Sequence, residues 1–275
     1  VDDAHFPFVS VVDKAKGRLV IKFSVIIATK NAALHLESTI RSVVSQNYLD
    51  IELIVIDSES SDITMDIVAK YADKYQVKSV SEPDEGISDA FNKGIHMATG
   101  DWIIFLGAGD TFVHSKVISD VVELLSNRKQ LLAVWGNVIL MNEEGEVIKK
   151  IVGKYSKSKF KRYMSIPHQA TFHSKQLYKT HGLYLKKYKV AMDYDLLLRE
   201  INNYDKNNYM DYDIAYMLTG GISQNNIKSV LNEFKQCQID NHIWPKYIAY
   251  LHYLWGNIKH RLKPIVTYNY GRIFK

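Results

Sequence analysis

The sequence predicts an α/β fold built on a doubly wound, mostly parallel central sheet, and three observations support this prediction. Short apolar runs alternate with amphipathic helical segments across residues 23–112. The runs are nearly continuous in apolar residues, as in strands that are covered on both faces. Polar residues, namely Thr29, Asp57 and Asp110, follow three of the runs. Strict alternation predicts parallel strands, whose carboxyl ends meet at the edge where such sheets bind ligands.

Hydrophobic spacing justifies the elements of the first half in order. Phe23 to Ala28 is a near-continuous apolar run and predicts the first strand. Leu36, Ile40 and Val43 recur at helical spacing, which predicts a helix from about Ala33. The alternation then continues with a strand at 51–56, a helix at 62–75, a strand at 77–80, a helix after Gly86 and a strand at 102–106.

The second half predicts α+β structure laid against the same sheet. Residues 134–141 and 147–152 flank the turn Asn142-Glu-Glu-Gly145, a hairpin pattern. Further helices are expected from about Ser174, across 193–201, and from Ile239 to the end. Since no Pro- or Gly-rich linker separates the two halves, at 23–112 and 113–225, we predict that 23–225 is one domain. An extension without assigned function precedes it at 1–22, and a helical amphipathic segment follows it at 226–275.

Composition limits the class of protein and of partner. The 275 residues are 47% hydrophobic and 24% charged, which is ordinary for one large globular domain. The net charge of +5 permits anionic partners such as nucleotides or acidic lipid head groups, and it does not predict nucleic-acid binding. A single cysteine, Cys237, rules out an internal disulfide and suits a reducing cytosol. No apolar run has the length that a membrane span needs. We therefore predict a cytoplasmic protein.

The segment at 57–62, Asp-Ser-Glu-Ser-Ser-Asp, follows the second predicted strand. A carboxylate there can accept the imide N–H of a uracil, and the serine hydroxyls and nearby amides can bind ribose or phosphate. Thr29 and Asn31 follow the first strand and join the same edge. Helix capping by Ser60 or its neighbours is the alternative, and the two roles can coexist.

Residues 84–94 form a polar, Gly-containing loop that opens a helix. Asp89, Asn92 and Lys93 share one helical face, where a lysine and an amide can neutralise and orient a diphosphate. A turn followed by a helix with Ser88 as its N-cap is the alternative. Together with Asp110, the pattern favours a nucleotide-diphosphate site. The residues predicted to bind the nucleotide ligand at this site are Thr29, Asn31, Asp57, Ser58, Ser60, Asp84, Gly86, Ser88, Asp89, Asn92, Lys93, Ala108 and Gly109.

Asp110 ends the strand at 102–106 and is the predicted metal ligand. A Mg²⁺ or Mn²⁺ ion held by a nucleotide diphosphate needs only one or two protein carboxylates, because phosphate and water supply the other ligands. One acid is therefore chemically sufficient for a divalent cofactor. A turn-capping aspartate is the alternative.

The ordered motifs between 23 and 199 resemble those of family-2 glycosyltransferases with a GT-A fold, of the bacterial type that builds surface polysaccharides. The donor-side block is 82–110, and the acceptor-side pieces are Pro-His-Gln-Ala-Thr-Phe at 167–172, Gly-Leu-Tyr at 182–184 and Val-Ala-Met-Asp-Tyr-Asp-Leu-Leu-Leu-Arg at 190–199. The resemblance implies a UDP-hexose or UDP-N-acetylhexosamine donor and a saccharide acceptor, including one carried on polyprenyl diphosphate. It also implies a metal-dependent, inverting transfer in O-antigen or capsule assembly.

The resemblance also assigns a general base and shows two departures from the family pattern. In the family, the acid that opens the Asp-Tyr-Asp helix is the base, and Asp193 matches that position. Met192 stands where an acid often precedes it. The family commonly carries two or three acids around Asp110, where this chain has Ala108 and Gly109. These replacements imply a thin metal shell.

Helix geometry independently favours Asp193 over Asp195 as the residue facing a cleft. Residues two apart on a helix point to nearly opposite sides, and Asp195 stands four residues before Arg199, at the spacing of a surface ion pair. His168 and Gln169 are assigned to the acceptor or diphosphate side. A hydrogen-bonded structural histidine is an equally good interpretation of His168.

The C-terminal segment has an apolar periodicity that predicts one helical face. This face comprises Trp244, Tyr247, Ile248, Leu251, Leu254, Trp255, Ile258 and Leu262, with Lys246, His252, Lys259 and His260 off it. Packing on the catalytic domain or on a homodimer partner is the favoured interpretation. Peripheral docking at the inner face of the plasma membrane is the alternative, because Trp, Tyr and Lys suit the head-group zone.

Two other functions stay open at this point. A sugar nucleotidyltransferase shares this kind of sheet, but the sequence after the first strand, Ala28-Thr-Lys-Asn-Ala32, lacks the Gly-rich basic loop that it needs. A non-catalytic sugar-nucleotide-binding protein with a degenerate metal motif fits the reduced acid set around Asp110, whereas Asp193 argues against it.

Overall fold

The computed structural model describes residues 11–13, 18–126, 128, 130–220 and 227–273, and within these ranges the side chains of 21–260. Two short strands, β1 (Val11–Asp13) and β2 (Arg18–Val20), pair antiparallel ahead of the main domain. The rest of the predicted extension at 1–22, apart from residues 21 and 22, lies outside the described residues.

The first half alternates strand and helix as the sequence predicts. Its elements are β3 (Phe23–Thr29), α1 (Ala33–Val44), β4 (Ile51–Asp57), α2 (Thr64–Ala72), β5 (Val77–Ser81), α3 (Ile87–Met97) and β6 (Trp102–Gly107). The strands lie in the order β5-β4-β3-β6, and all three pairings are parallel. The carboxyl ends of β3, β4 and β6 therefore meet at one edge.

The second half extends the same sheet with mixed pairing. Its elements are β7 (Thr111–Phe112), α4 (Val117–Ser126), β8 (Ala133–Met141), β9 (Val147–Ile151), α5 (Lys157–Phe160), β10 (Thr171–Ser174), α6 (Lys175–His181), α7 (Met192–Leu198) and β11 (Tyr209–Leu218). The strand β10 runs antiparallel between β6 and β8, while β11 pairs parallel with β8 and antiparallel with β7. The predicted hairpin is confirmed, since β8 and β9 pair antiparallel.

Alternating residues of the central strands supply two hydrophobic clusters. Val25 and Ile27 belong to the cluster that includes Leu36 of α1, whereas Ile26 belongs to the cluster that includes Phe91 of α3. This alternation is the period-2 pattern of a sheet covered on both faces. Gly94 allows α3 to lie close to β3, because a Cβ there would lie 2.5 Å from Ile26 Cγ2. The close contact holds α3 against β3.

A buried carboxylate closes the opposite end of the sheet. Glu52 is 1% exposed and accepts hydrogen bonds from Ser24 Oγ at 2.6 Å, Thr99 N at 2.6 Å and Lys78 Nζ at 2.8 Å. Burial favours the neutral acid, but the bonds from Lys78, Ser24 and Thr99 outweigh it and lower the pKa of Glu52 to about 2. The carboxylate thus stays ionised and ties three segments together.

The C-terminal segment forms two helices, α8 (Ile227–Asp240) and α9 (Lys246–Ile273). Both helices lie within the segment at 226–275 that the sequence predicts to be helical, and α8 begins before the helical pattern noted from Ile239. The helices pack closely, since a Cβ at Gly256 of α9 would lie 2.9 Å from Leu231 Cδ2 of α8. Among the described residues, no helix combines the length and apolarity that crossing a membrane requires.

The predicted apolar face of α9 does not pack on the domain. Tyr247 is 68% exposed, Leu251 and Trp255 are each 58% exposed, and Ile258 is 47% exposed. The expectation that this face packs on the domain is therefore wrong, whereas packing on a homodimer partner stays a prediction. The helix packs through Ala249 and its neighbours instead. Trp244 precedes α9, where its Nε1 donates to the carbonyl oxygen of Lys161 at 3.0 Å. The side chain of Leu262 lies outside the described side chains.

Candidate functional site

A cavity of about 770 Å³ opens at the carboxyl end of β6. Its walls come from the end of β6, the segment at 164–169, the start of α7, the end of β11 and one side of α8. This volume lies in the range of small-molecule sites. The predicted residues that line it are Ala108, Asp110, His168, Gln169 and Asp193. The cavity thus joins the predicted metal ligand, base and acceptor-side residues.

Asp110 is held in the cavity by two backbone amides. Its Oδ2 accepts from Gly107 N at 2.9 Å, and its Oδ1 accepts from Leu218 N, at the end of β11, at 3.2 Å. The residue is only 5% exposed. Burial raises the pKa of Asp110 to about 6 despite these two bonds. A nearby cation would relieve this cost, because it favours the ionised carboxylate.

The turn before Asp110 depends on a glycine. Gly109 has a φ of +105°, in the region that favours glycine, and its N–H donates to Thr39 Oγ1 at 2.8 Å. A Cβ at this position would lie 3.0 Å from Leu218 Cδ2. Ala108 lines the cavity next to it. The departure from the family's acid pattern at these two positions leaves a short apolar turn beside Asp110.

Asp193 lies in the first turn of α7 and faces the same cavity. Its Oδ1 accepts from Tyr194 N at 2.7 Å. Burial, with a smaller contribution from the negative charge of Glu233, raises the pKa of Asp193 to about 6. A carboxylate with this pKa is ionised at neutral pH and more basic than an ordinary aspartate, as a general base requires.

Asp195 lies on the other side of α7, as predicted. It is 1% exposed, pairs with Arg199 four residues later, and accepts from Asn241 Nδ2 at 2.8 Å. The predicted ion pair is therefore confirmed, but it is buried between α7 and the segment after α8 and not on the surface. The two acids of the Asp-Tyr-Asp motif have separate surroundings.

Glu233 of α8 anchors the backbone that leads into α7. Its Oε2 accepts from Val190 N and Ala191 N, each at 2.8 Å, and its Oε1 accepts from Lys189 N at 3.1 Å. These amides immediately precede the helix that carries Asp193. The carboxylate thus fixes the start of α7 and adds negative charge near Asp193.

His168 packs in an aromatic wall of the cavity. Its ring stacks on Phe105 at a centroid distance of 5.4 Å, and its Nε2 lies 3.2 Å from Tyr184 Oη. Burial lowers the pKa of His168 to about 4, so the imidazole is neutral at physiological pH. Gln169 follows it along the cavity wall and is partly exposed.

Asp57 is the centre of a hydrogen-bond cluster at the end of β4. It accepts from Thr29 Oγ1 at 3.0 Å, Ser60 N at 2.9 Å and Ser81 Oγ at 2.6 Å, and also from Ser60 Oγ. Burial favours the neutral acid, but the bonds from Ser60, Ser81 and Thr29 outweigh it, so the pKa of Asp57 lies below its usual value. The buried Ser58 adds a bond from its N–H to the Thr29 carbonyl oxygen at 2.9 Å.

Asn31 joins the ends of β3 and β4. Its backbone has a φ of +48°, its N–H donates to Ser60 Oγ at 2.7 Å, and its Oδ1 accepts from Ser61 N at 2.8 Å. Asp62 accepts from Thr64 N at 3.0 Å at the start of α2, but the N-cap of α2 is Ile63, so the capping alternative for Ser60 and its neighbours is wrong. Predicted nucleoside-side residues are thus brought together, on the same sheet edge as the cavity.

The predicted diphosphate loop forms its own turn. Asp84 Oδ1 accepts from Gly86 N at 2.9 Å, and Gly86 has a φ of +114°. Gly86, not Ser88, is the N-cap of α3. Ser88 Oγ instead donates to the Tyr188 carbonyl oxygen at 2.7 Å. The N-cap alternative for Ser88 is therefore wrong.

Asn92 and Asp89 connect α3 to the segment before α7. Asn92 Nδ2 donates to the Tyr184 carbonyl oxygen at 2.9 Å, and its Oδ1 accepts from Tyr184 N at 3.0 Å. Asp89 pairs with Lys186 at 2.7 Å, and Lys93 pairs with Glu82 at 2.8 Å. Lys93 also donates to a backbone oxygen of the loop. These side chains hold the loop in place, and none of the three lines the cavity.

Sequence reasoning missed several residues of the site. Glu233 lies in the segment that the sequence predicts to be helical, but it is forty residues after Asp193, and no local pattern signals its contact with the start of α7. Lys189 lines the cavity and donates to the Glu85 carbonyl oxygen at 2.7 Å. The basic run at 186–189, just ahead of the acid-bearing helix, could have revealed it and Lys186.

The residues around Asp110 could bind a divalent ion only if a bound diphosphate supplied further ligands. Within the described part of the chain, no group of three or more His, Cys, Asp or Glu side chains could hold a metal ion. Asp110 nevertheless directs a carboxylate into the cavity, with one backbone amide on each oxygen. Phosphate oxygens and water can complete the shell of an ion that has one protein carboxylate.

Comparison with known proteins agrees with this geometry. The sequence model of Glycosyl transferase family 2 matches residues 24–179. The chain belongs to this family. It is 31% identical over 183 residues to a PGL/p-HBAD biosynthesis glycosyltransferase of Mycobacterium bovis, an alignment that covers 66% of this chain and 70% of the relative. It is 33% identical over 183 residues to an uncharacterised glycosyltransferase of Mycobacterium tuberculosis, covering 64% and 67% of the two chains.

Solved structures show that this family-2 glycosyltransferase has the GT-A fold. Staphylococcus aureus TarS 1–349 in complex with UDP superposes with a TM-score of 0.62 at 16% identity, covering 87% of this chain and 72% of that one. The mannosyltransferase PcManGT of Pyrobaculum calidifontis, in complex with GDP-Man and Mn²⁺, gives a TM-score of 0.60 at 15% identity and covers 98% and 84%. The α/β prediction is confirmed.

Proposed function

We propose that this glycosyltransferase moves a hexose or an N-acetylhexosamine from a UDP-sugar to a hydroxyl of a saccharide acceptor, with inversion at the anomeric carbon. The single observation that carries the proposal is the cavity that joins Asp110 and Asp193, two acids whose pKa values are each raised to about 6. Both acids stand where the family motifs expect a metal ligand and a base. Groups with such perturbed pKa values cluster at functional sites.

The donor would lie along the edge formed by β3, β4 and β6. Asp57 would accept the uracil imide, and Thr29, Asn31, Ser58 and Ser60 would surround the nucleoside. Asp57 already accepts from serine and threonine hydroxyls. Because hydroxyl groups rotate, an incoming imide can replace one of these donors without movement of the backbone.

The loop that opens α3 would border the ribose and diphosphate. Asp84, Gly86, Ser88, Asp89, Asn92 and Lys93 shape this loop through bonds to its own backbone and to the segment before α7. Their proposed contribution is therefore a preorganised loop, which reduces the ordering cost of donor binding. Ala108 and Gly109 would allow the diphosphate to approach the short turn before Asp110.

Asp110 would hold a divalent ion through the donor's diphosphate, and such an ion supplies positive charge that stabilises the departing diphosphate. Asp193 would take the proton from the acceptor hydroxyl. At the same time the hydroxyl oxygen would bond to the anomeric carbon, and the bond between the sugar and the diphosphate would break. A single displacement of this kind inverts the configuration. His168 and Gln169 would line the acceptor or diphosphate side, with the imidazole neutral.

The acceptor is proposed to be a growing cell-surface glycan of the O-antigen or capsule type, including one on a polyprenyl diphosphate. The motif set at 167–199 supports this class of acceptor by its resemblance to surface-polysaccharide enzymes. The named relative belongs to PGL/p-HBAD biosynthesis. A binding-only protein is the competing function, because Asp110 lacks the second acid that the family commonly carries.

A thermal-shift panel followed by an activity assay tests the proposal. The panel contains UDP, UDP-glucose, UDP-N-acetylglucosamine and GDP-mannose, each with and without Mn²⁺. We expect the UDP compounds in Mn²⁺ to raise the Tm, since a ligand at a hundred times its Kd adds about 2.7 kcal/mol to the folded state. A shift with GDP-mannose alone would overturn the UDP assignment.

Release of UDP from the sugars that bind then separates enzyme from binder. The proposal expects slow UDP release with water as acceptor and faster release with a saccharide acceptor. Binding without release under either condition would favour the binding-only alternative. Equal release with EDTA and with Mn²⁺ would remove the metal from the mechanism.

A further inference from the structure

We propose that α9 is a docking surface for an anionic lipid bilayer, with its exposed apolar face lying in the head-group region. The face comprises Tyr247, Leu251, Leu254, Trp255 and Ile258, together called the α9 apolar face. This partner goes beyond the sugar transfer proposed above and does not depend on it.

The α9 apolar face is turned to solvent along several helical turns. Its members range from 46% exposed at Leu254 to 68% exposed at Tyr247, and Tyr250 beside them is 53% exposed. The spacing of three or four residues places them in one stripe. A contiguous exposed apolar surface of this kind indicates an interaction site, unlike single exposed apolar residues.

The opposite side of α9 is fixed to the protein. Ala249 is fully buried, and the close contact between Gly256 and Leu231 holds the helix against α8. At the flank of the helix, Lys235 of α8 lies 4.9 Å from the ring centroid of Tyr250 and 4.8 Å from that of Tyr253. The apolar face therefore has a set orientation and cannot turn inward without losing these contacts.

Charge selects the partner. Residues 241–275 contain four lysines and two arginines but no aspartate or glutamate. The net charge of the whole chain is +5, so the final segment accounts for all of its positive excess. An amphipathic helix that is rich in Trp, Tyr and Leu on one face and carries only basic charges matches an anionic membrane surface.

The same charge pattern argues against a second copy of the chain on this face. Pairing two α9 helices would bring together two segments that have basic residues and no acid with which to pair them. Like charges across an interface cost free energy, whereas phospholipid head groups of negative charge neutralise them. Lys259 also lies 5.4 Å from the ring centroid of Trp255, a pairing suited to the head-group zone.

The surface lies one helix layer from the cavity. Val230 and Phe234 of α8 line the cavity, while Leu231 of the same helix contacts α9. A bilayer on the α9 apolar face would therefore lie close to the catalytic cavity, separated from it by α8. This arrangement suits an acceptor that is presented at a lipid surface.

Vesicle flotation of the full chain tests the proposal. Vesicles of pure phosphatidylcholine are compared with vesicles that also contain phosphatidylglycerol, at low and high salt. We expect binding to the anionic vesicles and a loss of binding at high salt. Tryptophan emission should shift to the blue on binding, mainly through Trp255, because Trp255 is 58% exposed, Trp102 and Trp135 are at most 2% exposed, and Trp244 is partly buried and bonded to Lys161. Trp255→Phe should bind but show a much smaller shift.

Two variants probe the two parts of the surface. Leu251→Asp combined with Trp255→Asp should reduce binding to anionic vesicles more than tenfold. Lys246→Gln should reduce it about fivefold, the factor that corresponds to losing about 1 kcal/mol of attraction for one basic residue. Leu49→Asp is the matched control, because Leu49 is 92% exposed and lies outside α9. It should bind as the wild type does.

Three outcomes would overturn the proposal. The first is equal binding to neutral and anionic vesicles. The second is an equal loss of binding in the Leu49→Asp control. The third is an absence of binding to anionic vesicles, and a concentration-dependent dimer that the Leu251→Asp, Trp255→Asp variant abolishes would then assign the face to a second copy. Circular dichroism confirms that each variant is folded.

Discussion

The carboxylates Asp57 and Asp193 lie at the same edge of the sheet, but their surroundings shift their pKa values in opposite directions. Asp57 accepts hydrogen bonds from Thr29, Ser60 and Ser81, and its pKa lies below the usual value. Asp193 accepts from its neighbour Tyr194, and burial raises its pKa to about 6. The first is stable as an anion, whereas the second bears an electrostatic cost when it ionises.

This difference separates carboxylates that several hydrogen-bond donors keep ionised from carboxylates that are buried at the cavity with fewer donors. Glu52 resembles Asp57, because several donors keep it ionised inside the protein. Asp110 resembles Asp193, because burial raises its pKa and it faces the cavity. An acid that is left short of donors in a cavity can bind a cation or take a proton.

The largest effect on stability is expected at Glu52, a buried carboxylate that accepts several hydrogen bonds. Glu52→Gln removes a buried anion that faces donors from Ser24, Thr99 and Lys78, so it should lower the free energy of unfolding by about 2–4 kcal/mol. Urea denaturation measures this loss. Glu123→Gln on the exposed side of α4 is the control and should change stability by less than about 0.5 kcal/mol.

The pH dependence of the same contribution gives a second check on Glu52. Its folded-state pKa of about 2 lies below the ordinary 4.5, so its stabilisation is full above about pH 4.5 and is lost as the pH falls towards 2. The Glu52→Gln variant should lack this component of acid sensitivity. If the two proteins lost stability in parallel across that window, Glu52 would not be an ionised anchor.

A smaller effect is expected at Glu233, which holds the backbone just before the proposed base Asp193. Glu233→Gln replaces an acceptor oxygen with an NH₂ group that cannot accept from Val190 N and Ala191 N. Displacement of the start of α7 should slow transfer roughly tenfold to a hundredfold. Loss of the negative charge of Glu233 should also lower the pKa of Asp193. This change should move the low-pH side (the acid limb) of the pH–rate profile to lower pH.

Glu233→Asp and the pH readout distinguish positioning from general instability. The aspartate keeps the charge, so the acid limb should stay near that of the wild type even if the rate falls. A Glu233→Gln protein with normal turnover would contradict the anchoring role. A lower rate with an unmoved acid limb would contradict the electrostatic part.

The dependence of the rate on pH tests directly whether a carboxylate with a raised pKa accepts the proton. The base must be ionised to accept a proton, so UDP release should fall tenfold for each pH unit below about 6 and level off above it. Saturating Mn²⁺ reduces the contribution of Asp110, since a cation favours its ionised form. An acid limb near pH 4 would show that no carboxylate with a raised pKa limits the reaction.

The smallest effect is a gain in stability when Asp193 is replaced by a neutral residue. The folded-state pKa of Asp193 lies above its unfolded value of 3.8, so its contribution to stability declines as the pH rises through about 6. Asp193→Asn should raise the Tm by about 2–4 °C near pH 8 and by little near pH 4. Calorimetry should show the opposite sign for Asp57→Asn near pH 8.

The sequence predicts the sheet better than it predicts the cavity. Continuous apolar runs give β3, β4 and β6 because both faces of these strands are covered. The motif order brings Asp110 and Asp193 together in one cavity, although 83 residues separate them. Periodicity also identified the apolar face of α9, but it could not show whether that face is covered.

The missed features depend on long-range contacts. Glu233 acts through hydrogen bonds to residues more than forty positions away, and no local pattern encodes them. The side chains of Asp89, Asn92 and Lys93 share a helical face, but only the structure shows that their partners are Lys186, Tyr184 and Glu82. Spacing identifies a shared face and leaves open what that face contacts.

The most direct test of the central claim measures UDP release and donor binding together in Asp193→Asn. If Asp193 is the base, UDP release from the preferred UDP-sugar should fall by roughly a factor of 10²–10⁴, while the nucleotide-induced shift in Tm stays within about 1 °C of the wild-type shift. Turnover equal to that of the wild type, with donor binding intact, would contradict the account.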